Sequence, residues 1–428
     1  MDDQSAAPHA PRVAFTGSRI LDAAGGRYLD ECVVLVEDDR ILDVARSVPQ
    51  DFVPVDLGDR TIAPGLIDGH THVYLHGNLL RTDFERQILK EYPSYRTAHA
   101  VQALQTTLAA GFTTIRDLET EGAGYGDVGL RDALVQGVIR GPRMLTAGPA
   151  LSSTGSYPIA RFRPDWRYPV GVDVVDGPDA CRRIVREQVS YGVDWIKVYA
   201  NAGAGVALRS DGLIDGPPNW TAEELGAIVD EAHRLSRPVA AHATSVQGVE
   251  AAIAAGVDSI EHGYSVSPAS AREMAARGIF FSPTIVATKY CALPRSAERG
   301  RVWADALEAQ AISVRNAADA GVRIVFGTDV GCFPWTEIAQ ATEFQNLVDL
   351  GISPADAVRT ATTAAAAALG LGGEIGIIAP GAYADLIAVS SDPLADPGAL
   401  TAVDVVVQRG RVVAGQHLVE PTGTPAGA

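Results

Sequence analysis

With 428 residues, 47% hydrophobic and 20% charged, the chain has ample core for a soluble protein of about two or three average domains, although one barrel can take about 250 residues. A formal net charge of −17 argues against a nucleic-acid surface, because an acidic protein repels phosphate and no basic stripe offsets it. Cys32, Cys181, Cys291 and Cys332 are scattered with no Cys-x-x-Cys pair, which argues against a disulfide framework and fits a reducing cytoplasm.

Taken in chain order, residues 1–11 read as a flexible tail, acidic at its start and without the apolar segment of a secretory signal. Residues 12–62 carry short β-type runs, Arg12-Val-Ala-Phe and Cys32-Val-Val-Leu-Val, broken by turn signals at Ala24-Gly25-Gly26 and Asp38-Asp39. From 63 to 375 strands and helices alternate. Strands are expected at 62–69, 112–117, 143–147, 195–199, 238–242, 258–262, 279–286 and 323–328. The helices are expected at 97–110, 177–190, 221–236, 246–255, 303–320 and 336–350. Cys181-Arg-Arg-Ile-Val-Arg186 looks like the solvated face of one of these helices, and the Ala-rich run 361–369 ends in a capping Gly370. Eight strands with crossovers of this length predict an α/β architecture, a (β/α)8 TIM-type barrel. Residues 376–415 return to β-type runs, Asp385-Leu-Ile-Ala-Val and Asp404-Val-Val-Val, and with 12–62 predict a small discontinuous β-sandwich domain built from both chain ends. Residues 416–428 read as a second flexible tail. No run approaches the roughly 20 apolar residues of a membrane span.

Barrel chemistry gathers where strands end. The first strand runs into His70-Thr71-His72, whose imidazoles at i and i+2 share one side of an extended chain. The fourth ends Trp195-Ile-Lys197-Val-Tyr199, the fifth Ala241-His242, the sixth Ile260-Glu-His262 and the eighth Gly327-Thr-Asp329. Singly, each has a plain explanation: His242 and His262 as satisfied core histidines, Lys197 as a lysine snorkelling to solvent, Asp329 as a helix cap. Jointly, on the rim of one barrel, four imidazoles and a carboxylate are a donor set for zinc, cobalt, manganese or iron. A lysine in an apolar strand is costly to keep charged. As a neutral amine Lys197 can take up carbon dioxide to give a carbamate, whose two oxygens can bridge two ions about 3.5–4 Å apart.

These segments, Pro64-Gly-Leu-Ile-Asp-Gly-His70-Thr-His72, Ile196-Lys197-Val, Ala241-His242, Ile260-Glu-His262 and Gly327-Thr-Asp329, resemble the amidohydrolase superfamily over roughly residues 12–415. Pro380-Gly-Ala-Tyr-Ala-Asp385-Leu resembles the returning strand of its small β domain. The resemblance implies that His70 and His72 bind the more buried of two divalent ions, that carboxylated Lys197 bridges both, and that His242 and His262 bind the second. It implies that Asp329 binds the first ion, takes the proton of a bridging water and passes it to the leaving nitrogen.

Within the superfamily the chain looks like the branch of prolidase-type dipeptidases, ochratoxin-type amidohydrolases and phenylurea or thiocarbamate hydrolases. Gly111-Phe-Thr-Thr-Ile-Arg-Asp, Gly141-Pro-Arg, Ile196-Lys-Val-Tyr and Gly327-Thr-Asp-Val-Gly carry that likeness. It departs from the peptidases at Thr154-Gly155-Ser156-Tyr157 and Phe333-Pro334-Trp335, where aromatic residues stand in place of Gly-Gly-His and a histidine. An aromatic pocket suits a neutral, hydrophobic amide, urea or carbamate better than a zwitterionic dipeptide. Tyr199, Trp335 and Tyr264 are the candidate substrate contacts, with Arg209 behind them, and Tyr199 is placed to bond a substrate carbonyl or carboxylate. His76 and His99 read as ordinary surface or outer residues. The partner expected is a small-molecule substrate, with no nucleic acid or membrane and with a homo-oligomeric state. Two rivals use the same barrel. A mononuclear deaminase needs a glutamate near the fifth-strand histidine, which Ala240-Ala-His242-Ala-Thr lacks, and a non-catalytic scaffold would have lost ligands that are all present.

Overall fold

A computed structural model describes residues 12–77, 84–157, 170–201, 207–293 and 297–421. Residues 1–11 and 422–428, the outer parts of the expected tails, lie outside the described residues. The described chain divides into two compact units: residues up to 67 with 108–113 and 354 onward, and residues 68–107 with 114–353. Among the described residues no helix is long and apolar enough to cross a membrane.

The first unit holds two sheets. One places Val13–Thr16 between Val53–Asp56 and Val33–Glu37, with Arg40–Ala45 on one edge and Glu420–Pro421 on the other. The other joins the two ends of the chain: Leu386–Val389 runs antiparallel to Thr61–Pro64, pairing Leu386 with Pro64 and Val389 with Thr61. Alternation along these strands sends Phe15, Ile20, Val34, Val36, Ile62, Leu386, Val405 and Val407 into one apolar core. Residues 416–421, expected in a flexible tail, instead form a short 3-10 turn and a strand, Glu420 pairing with Asp56. The edge of a sheet with unpaired backbone groups recruited them.

The second unit is α/β. Arg143–Thr146 runs parallel to Phe112–Asp117, which neighbours Leu66–Thr71. Leu151–Ser152, Ile196–Tyr199, Val239–Ala243, Ser259–His262 and Phe280–Ser282 form a second parallel ladder in that order. Parallel bridges join Phe281 to Ile324 and Thr71 to Val330, and Trp195 N donates to Thr146 O at 3.0 Å. Helix boundaries follow local chemistry. Thr221 and Glu224 cap each other reciprocally at the start of Ala222–Arg234, while Ser245 caps Val246–Ala255, which ends at Gly256 with φ 86°. The arginines beside buried Cys181 do face outward: Arg186 Nε donates to Glu231 at 2.7 Å on the next helix.

Several boundaries moved. The strand expected at 279–286 stops at Ser282, because Pro283 cannot donate to a ladder and Thr284 turns left-handed at φ 54° before the helix Ile285–Cys291. Residues 323–328 make one isolated bridge, at Ile324, rather than a continuous strand. They are drawn close to the first strand at Gly327, where a Cβ would overlap Ser282 Oγ and come within 2.8 Å of His70 Cβ. The helix expected at 336–350 forms only over Thr342–Asp349.

Candidate active site

The parallel register sets the site. Tyr199 lies opposite His242, His242 opposite Glu261, and Ala243 opposite His262. The imidazoles then follow one another: ring centroids are 4.7 Å apart for Tyr199–His242, 4.6 Å for His242–His262, 4.9 Å for His262–His70 and 5.3 Å for His70–His72. Asp329 joins this row from the segment bridged to the first strand. Its N–H donates to His70 O at 2.7 Å, and its Oδ1 lies 2.9 Å from His72 Nε2 and 3.6 Å from His70 Nε2. One ligand atom each from His70, His72 and Asp329 falls within 4.8 Å of the others, the spacing of a metal-holding group. His262 Nδ1 is 3.9 Å from Asp329 Oδ2. Lys197 is 1% exposed, so it does not snorkel, and burial lowers its pKa toward the neutral amine.

The environment tunes each group. Burial, then the charge of Lys197, pulls His70 down to about 4. Burial opposes protonation of His72 too, but its hydrogen bond to Asp329 and that carboxylate's charge outweigh it and raise His72 to about 9. Asp329 is held far below the ordinary carboxylate range: burial works against the charge, and the three imidazoles more than offset it. His70 Nδ1 lies 2.8 Å from Glu261 Oε2 and His72 Nδ1 lies 3.1 Å from Glu119 O. Both partners accept only, so each Nδ1 carries a proton; His70 Nε2 then keeps its lone pair, while His72 Nε2 donates to the Asp329 carboxylate until an ion takes its place. His70 Nε2 has no hydrogen-bond partner.

Several residues of the site gave little warning. Asp68 accepts from His70 N and Thr328 N, both at 3.1 Å, from Thr328 Oγ1 at 2.6 Å and from Gln340 Nε2 at 2.8 Å. It thereby stitches the His-x-His strand to the Asp329 segment, with burial raising it to about 6. Glu119 and Glu121 are buried, take the hydroxyls of Tyr199 (2.7 Å) and Tyr157, and are both raised by burial. Their acidity is written in Leu118-Glu-Thr-Glu121, after a strand, where strand-end chemistry would have flagged it. Positive φ values cluster here on residues with side chains: 65° at His262, 54° at Thr284, 60° at Asp329 and 50° at Glu121. Strain of this kind concentrates where function requires it.

The expected substrate contacts divide. Tyr199 faces the imidazoles, but its hydroxyl proton goes to Glu119, leaving the phenolic oxygen as an acceptor rather than a donor to a carbonyl. Tyr264 is buried 6.0 Å from the His262 ring. Trp335 donates its indole N–H to Leu75 O at 2.8 Å and packs against two apolar clusters, one around Tyr74 and one around Phe333. Arg209 is paired with Asp211 and Asp215.

Residues 61–413 match the amidohydrolase family, and the chain belongs to that family of hydrolases acting on carbon–nitrogen bonds, with its barrel-type α/β fold. It is 32% identical over 364 residues to the ochratoxinase of Aspergillus niger, a match covering 78% of this chain and 71% of that one. Among solved structures it is similar to a Xaa-Pro dipeptidase with bound methionine in the active site (29% identity, TM-score 0.83, 94% of this chain and 99% of that one). It is equally similar to a prolidase complexed with N-methylphosphonate-L-proline (30% identity, TM-score 0.83, the same coverage).

Proposed function

We propose that the chain is a binuclear metal-dependent hydrolase of an amide-type C–N bond in a small, largely hydrophobic substrate: an amide, urea or carbamate. The observation that carries the reading is the convergence of His70, His72 and Asp329, with a buried His70 Nε2 that no protein group satisfies. Buried polar atoms without partners are rare, and a lone pair facing two further donors fits a cation. In this reading the parallel ladders are one closed barrel and the two-sheet unit is a sandwich. His70, His72 and Asp329 would hold one ion, His242 and His262 a second, and Lys197, carboxylated by carbon dioxide with loss of a proton, would join them. Zinc suits the imidazole-rich set; cobalt, manganese and iron are the other ions it accommodates.

The bound ions would supply Lewis-acid polarisation of the carbonyl and a more acidic water. The chain's own residues do the rest. Asp329, left-handed at φ 60° and tied to His70 O, presents its carboxylate to the enclosure; there it takes a proton from the attacking water and returns it to the leaving nitrogen. Tyr199, its proton committed to Glu119, can accept from a substrate N–H. A second reading, a Xaa-Pro-type dipeptidase or N-acyl amino acid hydrolase, is favoured by the buried pair Glu119 and Glu121, which suits a substrate amine better than an apolar group does. Metal-analysed protein assayed against arylureas, thiocarbamates, N-acyl amino acids and Xaa-Pro dipeptides decides between them. Turnover confined to free dipeptides would replace the hydrophobic-amide reading by the second.

A further inference from the structure

Three imidazoles of the site hand Nδ1 to three unlike partners. His72 has a backbone carbonyl, His262 the hydroxyl of Thr284 at 2.8 Å, and His70 the carboxylate of Glu261 at 2.8 Å. Only the third is an ion, and it is maintained against a large desolvation cost. Glu261 is 0% and Arg116 1% exposed, so two charges have been taken out of water together. The geometry around them is complete. Arg116 Nη2 donates to Glu261 Oε1 at 2.9 Å and Nη1 to Ser259 Oγ at 3.3 Å, while the Ser259 hydroxyl donates to the same Oε1. Arg116 Nε donates to Gly69 O at 2.7 Å, the carbonyl just before His70, and its guanidinium lies 4.2 Å from the Trp195 ring centroid. One arginine therefore fixes both the strand that carries His70 and the carboxylate that turns its ring.

We propose that Glu261 is a positioning residue for His70, with Arg116 as its clamp, and that this makes the ion position on His70 the tighter of the two. The proposal rests on the metal-centre reading above. A carboxylate against Nδ1–H fixes the tautomer and raises the donor strength of Nε2. A carbonyl fixes the tautomer with less charge. A hydroxyl, which donates as readily as it accepts, does not fix it at all. The gradient of donor strength thus runs from His70 to His262, across the two expected ion positions.

The test is stepwise uptake of Zn2+, and of Co2+ followed by its visible absorption, by metal-stripped full-length protein. Wild type is expected to take two ions with unequal affinity. Glu261→Gln is expected to weaken the tighter step by about 10–100-fold, to leave the weaker step unchanged and to shift the absorption of the first cobalt bound. Because Glu261→Gln leaves Arg116 buried and unpaired, the double variant Arg116→Met/Glu261→Gln, which removes both charges, is measured beside it with the same loss expected. A folded variant whose tighter step is unchanged, or one whose two steps weaken equally, overturns the proposal. Wild type that binds no divalent ion overturns the metal centre itself, a result distinct from either.

Discussion

Among the described residues two groups of neighbouring histidines stand out, and they differ less in spacing than in what holds them. His70 and His262 have ring centroids 4.9 Å apart; His76 and His99, farther along the same stretch, are 4.7 Å apart. Each group has a carboxylate in reach, Asp329 at 2.9 Å from His72 Nε2 and Glu91 at 2.8 Å from His76 Nε2. In the inner group Nδ1 is occupied by an outer partner, and the Nε2 atoms of His70 and His72 turn toward one carboxylate. The outer pair is half-buried and edged by the Tyr95 ring, and its two imidazoles and Glu91 do not gather three ligand atoms as closely as His70, His72 and Asp329 do. Proximity of imidazoles is therefore a poor sign of a metal site. The better sign is which nitrogen has already been given away.

Removing metal should break the comparison most visibly. Exhaustive chelation is expected to abolish hydrolysis and to lower the melting temperature, since an ion at about 1,000 times its Kd adds about 4 kcal/mol to folding stability by mass action. Restoring Zn2+ should recover both, as followed by activity and differential scanning calorimetry; unchanged activity in verified metal-free protein would refute the metal role. Next in size is Asp329→Asn. Asn tolerates a left-handed backbone nearly as well as Asp, so the loop should survive. The proton acceptor is lost, and kcat is expected to fall by about 10²–10⁴-fold with bound metal retained. Metal content and kcat measured on the same sample check this, and wild-type turnover would dismiss Asp329 as the base.

The inner group was legible because strand ends are where periodicity stops and chemistry begins. His70, His72, His242 and His262 each close an apolar run, and Lys197 interrupts one. The residues that orient them were not legible. Glu261 stands one residue from His262 and so points to the other side of its strand, where nothing in the sequence names His70 as its partner. Arg116 sits within Phe112–Asp117, a strand buried throughout, and a charge in such a run was itself a signal of a buried partner. Trp335 was legible as an aromatic neighbourhood, but its hydrogen bond to Leu75 O was not, because it joins positions 260 residues apart. In the fold, alternation located most strands well. The end at Ser282 was missed because the apolar pattern continues through Pro283 into a helix whose first residues point inward as well.

A smaller effect separates the site from the frame behind it. Glu343 is buried and accepts from Ile285 N and Val286 N, both at 2.7 Å, at the start of the helix that follows Thr284. Burial raises its carboxyl to about 8, although those donors and Asn346 oppose the shift. The folded state therefore binds this proton more tightly than the unfolded chain. The associated stability is fully present below the unfolded value near 4.5 and is lost as pH rises toward 8. The expected slope is about 1 kcal/mol per pH unit across that window. Glu343→Gln, which has no proton to lose, should flatten it in urea unfolding at pH 5, 6, 7 and 8; an unaltered slope would assign it to other groups.

The smallest expected effect is the one that sharpens the opening contrast most. If the outer pair is only a surface contact, His76→Asn with His99→Asn should leave metal stoichiometry and kcat unchanged. The cost should be confined to the hydrogen bond between His76 Nε2 and Glu91, about 1 kcal/mol. His70→Asn should instead cost one ion per chain, together with the thermal stability that ion supplies, because Asn cannot supply a nitrogen lone pair where Nε2 stood. Both variants remove imidazoles from groups of nearly equal ring spacing. Metal analysis of the two side by side therefore isolates the effect of the second nitrogen's partner from that of proximity.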